Sequence, residues 1–114
     1  MDTKKSIIFI VNPISGTHEK DEIPRLIEEH LDKTLFSPEV IFTEYAGHAA
    51  ELARQYANQG TDVVVAVGGD GTINEVARSL VHTKTALGII PCGSGNGLAR
   101  HLCIPLIEDR KSVV

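Results

Sequence analysis

An acidic, glycine-rich turn is the part of this sequence best suited to chemistry. The turn is Gly68-Gly69-Asp70-Gly71-Thr72, and it follows an apolar, β-branched run at 63–67. Bare glycine backbone lets N–H groups approach a phosphate closely, and the amino terminus of a following helix favours negative charge. Asp70 adds a carboxylate to this anion-favouring turn, so we expect it to face a hydroxyl or a metal ion rather than a phosphate.

Two further turns follow apolar runs in the same way. Asn12-Pro13-Ile14-Ser15-Gly16 follows the run 7–11, and Gly93-Ser94-Gly95-Asn96 follows the run 87–90. One glycine turn can be no more than a tight connection between a strand and a helix. In a parallel sheet, however, all three turns would lie along the edge where ligands bind. The sequence therefore predicts a phosphate-binding edge.

The elements that position these turns alternate between strand and helix. We predict strands at 6–12, 40–43, 63–67 and 87–90, and helices at 21–31, 46–59, from about 73, and at 97–102. Apolar residues from Ile73 to Leu80 recur at helical spacing, and Thr72 and Glu75 have the spacing of a capping box, which predicts that this helix begins there. Gly60 is predicted to end the second helix. The alternation predicts an α/β fold with an open parallel sheet and helices on both faces.

Composition excludes several classes of function. The 114 residues carry a net charge of −4 with no cluster of Lys or Arg, which argues against nucleic acid as a partner. The apolar runs are too short to span a membrane and no signal peptide is visible, so we expect a cytoplasmic protein. Neither the two cysteines nor any pair of histidines has the spacing of a metal site, so we predict no metal ligands in this chain.

Two familiar nucleotide motifs are absent. A dinucleotide fingerprint needs Gly or Ala five residues after its first glycine, but Asn74 stands five residues after Gly69. A Walker A loop needs a Gly-Lys pair, and the chain has none. Neither motif therefore explains the glycine turns.

Four segments together resemble the diacylglycerol kinase catalytic domain family, which includes bacterial lipid kinases, sphingosine kinases and ceramide kinases. The segments are NPISG (12–16), TEYAGHA (43–49), GGDGTINE (68–75) and LGIIPCGSGN (87–96), in the order of the family. The resemblance implies a Rossmann-like domain, similar to the N-terminal domains of NAD kinases and phosphofructokinases. It also implies an ATP-dependent phosphotransferase that uses Mg²⁺ and acts on a lipid hydroxyl.

The resemblance also implies a nucleotide site, and within that site we interpret Asp70 as a carboxylate of the catalytic cleft. Phosphoryl transfer depends mainly on positioning and charge neutralisation, which backbone N–H groups and hydroxyls can supply. Asp70 is the candidate catalytic residue, which would receive the proton of the lipid hydroxyl or orient the nucleophile and the metal. The implied nucleotide-binding residues are Asn12, Pro13, Ile14, Ser15, Gly16, Thr43, Gly68, Gly69, Asp70, Gly71, Thr72, Ile73, Asn74, Glu75, Gly93, Ser94, Gly95 and Asn96.

In this family a second, mostly β domain carries much of the lipid cleft, the magnesium ligands and a catalytic carboxylate. We therefore expect residues 1–105 to be the ATP-binding domain and 106–114 to begin a linker toward the second domain. The lipid substrate implies a peripheral position at the inner membrane face. The surface that would meet the second domain is expected to be apolar and to favour homo-oligomers. We expect these 114 residues alone to be inactive.

Two other functions stay open at this point. A kinase for a soluble substrate, of the NAD kinase type, shares the acidic glycine turn, although the loops at Asn12 and Gly93 argue against it. A binding or regulatory module would keep the fold and perform no chemistry. Further coding sequence rich in short strands would favour the two-domain lipid kinase, and a stop after Val114 would favour the module.

Overall fold

Four parallel strands form an open sheet in the computed structural model, which describes residues 4–13 and 19–91. The spatial order of the strands is β2-β1-β3-β4, and every pair of neighbours is parallel. The predicted α/β fold is therefore confirmed. In chain order the elements are β1 (Lys5–Val11), α1 (Glu19–His30), β2 (Phe36–Phe42), α2 (His48–Asn58), β3 (Val63–Gly68), α3 (Asp70–Leu80) and β4 (Ala86–Pro91).

The strand order reverses between β1 and β3, because β2 lies on one side of this pair and β4 on the other. The chain passes from β1 to β2 at one edge, returns across β1 to β3, and continues to β4. Helix α1 packs on one face of the sheet through Ile23 and Ile27, whereas α2 and α3 pack on the other through Ala53 and Val76. The prediction of helices on both faces is confirmed, and the carboxyl ends of β1 and β3 flank the switch point of the sheet.

Alternating residues of β1 supply the two layers of the core. Phe9 contributes to the layer beneath α1, and Ile10 contributes to the layer beneath α2 and α3, each with no exposed surface. Strand β3 is buried along its whole length, as its continuous β-branched run predicts. Helix α2 presents Ala49 and Ala53 to its layer, and these small side chains let the helix lie close to the sheet.

Two helices begin earlier than the sequence predicts. Helix α3 starts at Asp70 with Gly69 as its N-cap and no capping hydrogen bond from a side chain, so the predicted capping box is wrong. The physical reason is that the N–H of Ile73 already donates to the carbonyl of Gly69 (3.0 Å), while the Thr72 hydroxyl is used elsewhere. Helix α1 starts at Glu19, which places Pro24 inside the helix rather than in its first turn.

Strand β2 is longer than predicted, and the end of α2 is as predicted. β2 begins at Phe36 rather than at residue 40, although it contains Pro38. Among the described strands β2 lies at the edge of the sheet, where a missing N–H is tolerated. Gly60 follows α2 with φ +85° and donates its N–H to the carbonyl of Ala57 (3.1 Å), so the predicted glycine end is confirmed.

Candidate functional site

A cleft of about 410 Å³ opens at the carboxyl edge of the sheet. Its walls come from the end of β1, from the loop between β2 and α2, and from the first turns of α3. In open α/β sheets, the region beyond the carboxyl ends of the strands is where ligands bind. The lining residues are Asn12, Pro13, Thr43, Glu44, Tyr45, Ala46, Gly47, Ala49, Thr72 and Glu75.

Three polar side chains from separate segments are hydrogen-bonded to one another in this cleft. The side-chain amide of Asn12 donates from Nδ2 to Thr72 Oγ1 (3.2 Å), and Thr43 Oγ1 donates to Asn12 Oδ1 (3.4 Å). The backbone supports this arrangement, because the N–H of Asn12 donates to the carbonyl of Val67 and the N–H of Thr43 donates to the carbonyl of Val11. The amide of Asn12 is thereby oriented, and no residue in the described part of the chain bonds to its second N–H or its second lone pair.

Gly68 permits the close contact between the ends of β1, β3 and α3. A Cβ at Gly68 would lie 3.1 Å from both Cβ and Oγ1 of Thr72 and 3.3 Å from Cβ of Asn12. A Cβ at Gly69 or Gly71 would have no described atom within 4 Å. Gly68 therefore serves the packing of the protein itself, whereas no atom of the described residues fills the space beside Gly69 and Gly71.

Some residues of the acidic turn and of α3 line the cleft, and others lie outside it. Thr72 and Glu75 line the cleft, whereas Asp70 is the exposed first residue of α3 and lies outside the lining. Asn74 is exposed and also outside the lining. Ile73 is half-buried and packs against the core layer beneath α2 and α3. The catalytic role of Asp70 stays a prediction.

Several of the nucleotide-binding residues named from the sequence cannot be compared with this geometry. Positions 14–16 and 93–96, together with the helix predicted at 97–102, lie outside the described residues. The strands before them end at the same edge of the sheet, since Val11 pairs with Val67 and Gly68 pairs with Pro91.

The loop between β2 and α2 contributes more of the cleft than the sequence indicated. Only Thr43 of this segment was named as a site residue, yet the structure adds Glu44, Tyr45, Ala46 and Gly47 from the loop and Ala49 from α2. The position of this loop could have indicated its role, because it also directly follows a strand of a parallel sheet.

Contacts within the β2–α2 loop hold it in place. The ring of His48 stacks on the ring of Tyr45 with centroids 4.3 Å apart and planes 18° from parallel. His48 Nδ1 accepts a hydrogen bond from the N–H of Glu44 (3.0 Å), and the Tyr45 hydroxyl donates to Glu51 Oε1 (2.7 Å). Gly47 has φ +89°, a backbone conformation that glycine adopts readily.

The cleft carries acidic rather than basic side chains. Glu44 and Glu75 line it, and no Lys or Arg appears among its described lining residues. The hydrogen bond to Glu51 raises the pKa of Tyr45 above its ordinary value of 10.0, with smaller contributions from desolvation and from the charges of Glu51 and Glu44. Within 4–13 and 19–91, no group of three or more His, Cys, Asp or Glu side chains could hold a metal ion.

The fold and the cleft define a doubly wound α/β domain with its candidate site at the switch point of the sheet. The family model described as the diacylglycerol kinase catalytic domain matches residues 6–114, and the chain belongs to this family. None of the described helices is long and apolar enough to cross a membrane.

Curated relatives include two bacterial diacylglycerol kinases. The enzyme named so in Staphylococcus aureus (strain bovine RF122 / ET3-1) is 35% identical over 105 residues, which cover 90% of this chain and 33% of the relative. That of Bacillus subtilis (strain 168) is 35% identical over 99 residues, which cover 85% of this chain and 33% of the relative. The chain thus spans about one third of the length of these relatives.

A solved structure shares the fold. The crystal structure of a diacylglycerol kinase from Bacillus anthracis str. Sterne superposes with a TM-score of 0.68 and 22% sequence identity, over 93% of this chain and 44% of that chain. A second structure, of a putative diacylglycerol kinase from the same organism, gives a TM-score of 0.65 over 93% of this chain and 39% of that chain. These likenesses show the same α/β architecture.

Proposed function

We propose that this chain is the nucleotide-binding part of an ATP-dependent lipid kinase, which transfers the γ-phosphate of ATP to a lipid hydroxyl. The observation that carries the proposal is the hydrogen-bonded set of Asn12, Thr43 and Thr72 in a cleft at the carboxyl edge of the sheet, in a chain of the diacylglycerol kinase family. Because the relatives above bear the name diacylglycerol kinase, diacylglycerol is the first acceptor to test.

In this proposal the cleft orients the nucleotide rather than reacting with it. The hydroxyls of Thr43 and Thr72 and the amide of Asn12 would bind polar groups of ATP. Phosphate oxygens would approach the backbone at Gly69 and Gly71, where a Cβ would meet no described atom within 4 Å. Residues 14–16 and 93–96 stay part of the proposed nucleotide site, because they follow strands that end at this edge.

The acidic lining fits a magnesium ion that arrives with the nucleotide. Mg²⁺ prefers oxygen ligands, keeps several waters and is commonly bound through one or two carboxylates together with phosphates of the substrate. Although the sequence predicts no metal ligands in this chain, Glu44 and Glu75 line the cleft and are the described carboxylates that could hold the ion. When bound, the ion would neutralise charge on the transferred phosphoryl group.

Asp70 is the proposed catalytic carboxylate. Its side chain would accept the proton of the lipid hydroxyl while the hydroxyl oxygen bonds to the γ-phosphorus and the bond to the leaving ADP breaks. Because Asp70 is exposed, Asp70→Asn should leave the fold unchanged. Loss of a general base costs about 100- to 10,000-fold in rate, so we expect a fall in kcat of this size in the complete gene product, with ATP affinity retained.

The test is a lipid phosphorylation assay on the complete gene product and its Asp70→Asn variant, with calorimetry for ATP. Turnover of the variant within about threefold of wild type would make Asp70 structural. Phosphorylation of NAD rather than diacylglycerol by the wild type would favour the soluble-substrate kinase. ATP binding without turnover on either acceptor would favour a non-catalytic module.

We further propose that residues 1–105 form the ATP-binding domain and that 106–114 lead toward a second domain, since the chain spans about one third of its curated relatives. The lipid acceptor would bring the protein to the inner membrane surface. Residues 1–114 alone should show no lipid kinase activity and should bind ATP more weakly than the complete gene product, because half of the contacts to the nucleotide would be missing. Robust turnover by these residues alone would overturn the two-domain proposal.

A further inference from the structure

The wall formed by the β2–α2 loop depends on a side chain that does not itself line the cleft. Residues 43–47 all line it, and His48, the first residue of α2, does not. His48 is half-buried and contacts this loop in three ways. Its Nδ1 accepts the N–H of Glu44, its ring stacks on Tyr45, and its own N–H donates to the carbonyl of Tyr45 (3.1 Å).

The hydrogen bond from Glu44 defines the chemical state of the imidazole. Nδ1 can accept an N–H only when it carries no proton, so this hydrogen bond requires the tautomer that has its hydrogen on Nε2. A backbone N–H that loses its partner must find water or move, because such groups are obligatory hydrogen-bond donors. The backbone of Glu44 therefore keeps its position only if residue 48 offers a hydrogen-bond acceptor where Nδ1 lies. A side chain of similar size without that acceptor would not be enough.

The ring stack acts on the next residue of the loop. Tyr45 is 54% exposed, so little of its position is determined by the core. His48 on its ring and Glu51 on its hydroxyl are the described contacts of its side chain. His48 thus holds Glu44 through a hydrogen bond to Nδ1 and holds Tyr45 through the ring stack. Substitutions at position 48 can remove one of these contacts and keep the other.

We propose that His48 is a positioning residue for the bound nucleotide, which holds the 43–47 wall in its binding conformation through Nδ1 and through the stack on Tyr45. This inference rests on the proposed function, because it assumes that the cleft binds ATP. A wall that is ordered before binding strengthens affinity, since the ligand does not have to order the loop. His48 would therefore act mainly on the KM for ATP and little on kcat.

Two substitutions in the complete gene product separate the two contacts. His48→Phe keeps an aromatic ring for Tyr45 and removes the acceptor, whereas His48→Asn keeps an acceptor at the position of Nδ1 and removes the ring. His30→Phe is the matched control, because His30 is an exposed histidine in the last turn of α1, outside the cleft.

The kinetic readout is the KM for ATP measured beside kcat. We expect His48→Phe to raise the KM about 3- to 10-fold, the value of one lost hydrogen bond, with kcat within about twofold of wild type. His48→Asn should restore the KM to within about twofold of wild type, and His30→Phe should not change it. An unchanged KM in His48→Phe, or no rescue by His48→Asn, would overturn the proposal.

Hydrogen exchange of the Glu44 amide gives a readout that needs no nucleotide. We expect slow exchange in wild type and in His48→Asn, and fast exchange in His48→Phe, while the buried amide of Val65 stays protected in all three as a check of folding. Equal protection of Glu44 in all three proteins would overturn the role of His48. If the exchange pattern is as expected but wild type binds no ATP, the proposed function is wrong. The conclusion that His48 holds the 43–47 wall in place would remain.

Discussion

At the end of β3 the backbone of Gly68 lies against Thr72 and Asn12, because Gly68 has no side chain. We expect Gly68→Ala to lower the free energy of unfolding by about 1–3 kcal/mol, the usual cost of adding atoms to a packed site. The new methyl group would also press on the Asn12–Thr72 hydrogen bond, since it would lie 3.1 Å from Thr72 Oγ1. Urea denaturation measures the change.

Gly71→Ala is the matched control for Gly68→Ala. A Cβ at Gly71 meets no described atom within 4 Å, and the residue lies inside α3 without a positive φ. Alanine should therefore raise the free energy of unfolding by about 0.5–1 kcal/mol through its better helix propensity. A loss of stability in Gly71→Ala as large as in Gly68→Ala would contradict the packing argument.

Tyr45 is the residue whose ionisation reports on the loop. Its pKa is raised above 10.0, first by the hydrogen bond to Glu51. A group whose folded pKa lies above its unfolded value contributes stability that is fully present below the unfolded pKa. That contribution is lost as the pH rises through the folded pKa. The contribution of Tyr45 should therefore be present at neutral pH and disappear above pH 10.0.

Glu51→Ala tests this cause of the shift, because it removes the acceptor of the Tyr45 hydroxyl. An NMR or ultraviolet titration should show the pKa of Tyr45 moving back toward 10.0 in the variant. Tyr56 is the internal control, because burial is the main cause of its raised pKa and Glu39, not Glu51, is the contributing charge. Equal changes at both tyrosines, or none at Tyr45, would show that the Glu51 hydrogen bond is not the cause.

At the scale of elements, the turn between α3 and β4 holds a non-glycine residue in a conformation that favours glycine. His82 has φ +67°, and the turn is closed by the N–H of Thr83, which donates to the carbonyl of Leu80 (3.1 Å). The left-handed conformation costs an L-residue about 1–2 kcal/mol. We expect His82→Gly to raise the free energy of unfolding by about 0.5–1 kcal/mol, because the relief exceeds the entropy cost of glycine.

His82→Ala separates this backbone effect from loss of the imidazole. Alanine keeps the Cβ that opposes a positive φ, so its thermal and urea unfolding should match those of wild type within about 0.5 kcal/mol. A glycine variant no more stable than the alanine variant would show that the turn carries no strain at His82.

At the scale of the whole molecule, stability should reside in the two central strands rather than in surface apolar residues. Phe9 of β1 has no exposed surface and packs in the core layer beneath α1. We expect Phe9→Ala to cost about 3–5 kcal/mol, through lost burial and the cavity it leaves. Leu35→Ala is the control, because Leu35 is 50% exposed and should change stability by about 0.5 kcal/mol or less.

Urea denaturation measures the stability change in each variant, from the shift of the midpoint when the dependence of the unfolding free energy on urea is unchanged. A cost for Phe9→Ala below about 1 kcal/mol would mean that the sheet is not packed as described. ATP affinity should survive Phe9→Ala wherever the variant is folded, because the cleft lies at the carboxyl edge and Phe9 does not line it.

The sequence by itself determined the class of fold and one part of the site. The alternation of strands and helices, the buried β-branched run before Gly68 and the glycine end of α2 are all local patterns, and each local pattern has a direct physical cause. Five site residues were named from the turns and from the family pattern, and the structure brings all five to one cleft: Asn12, Pro13, Thr43, Thr72 and Glu75.

Only the tertiary structure decided how these residues meet and which others join them. The crossing of the chain over β1 brings Thr72 against Asn12, so the Thr72 hydroxyl takes part in the cleft network instead of the predicted capping box. The same crossing makes the β2–α2 loop a wall of the site, although that loop lacks a glycine pair. These contacts join residues 31 and 60 positions apart. Local spacing carries no information on such distances, because they depend on the order of strands in the sheet.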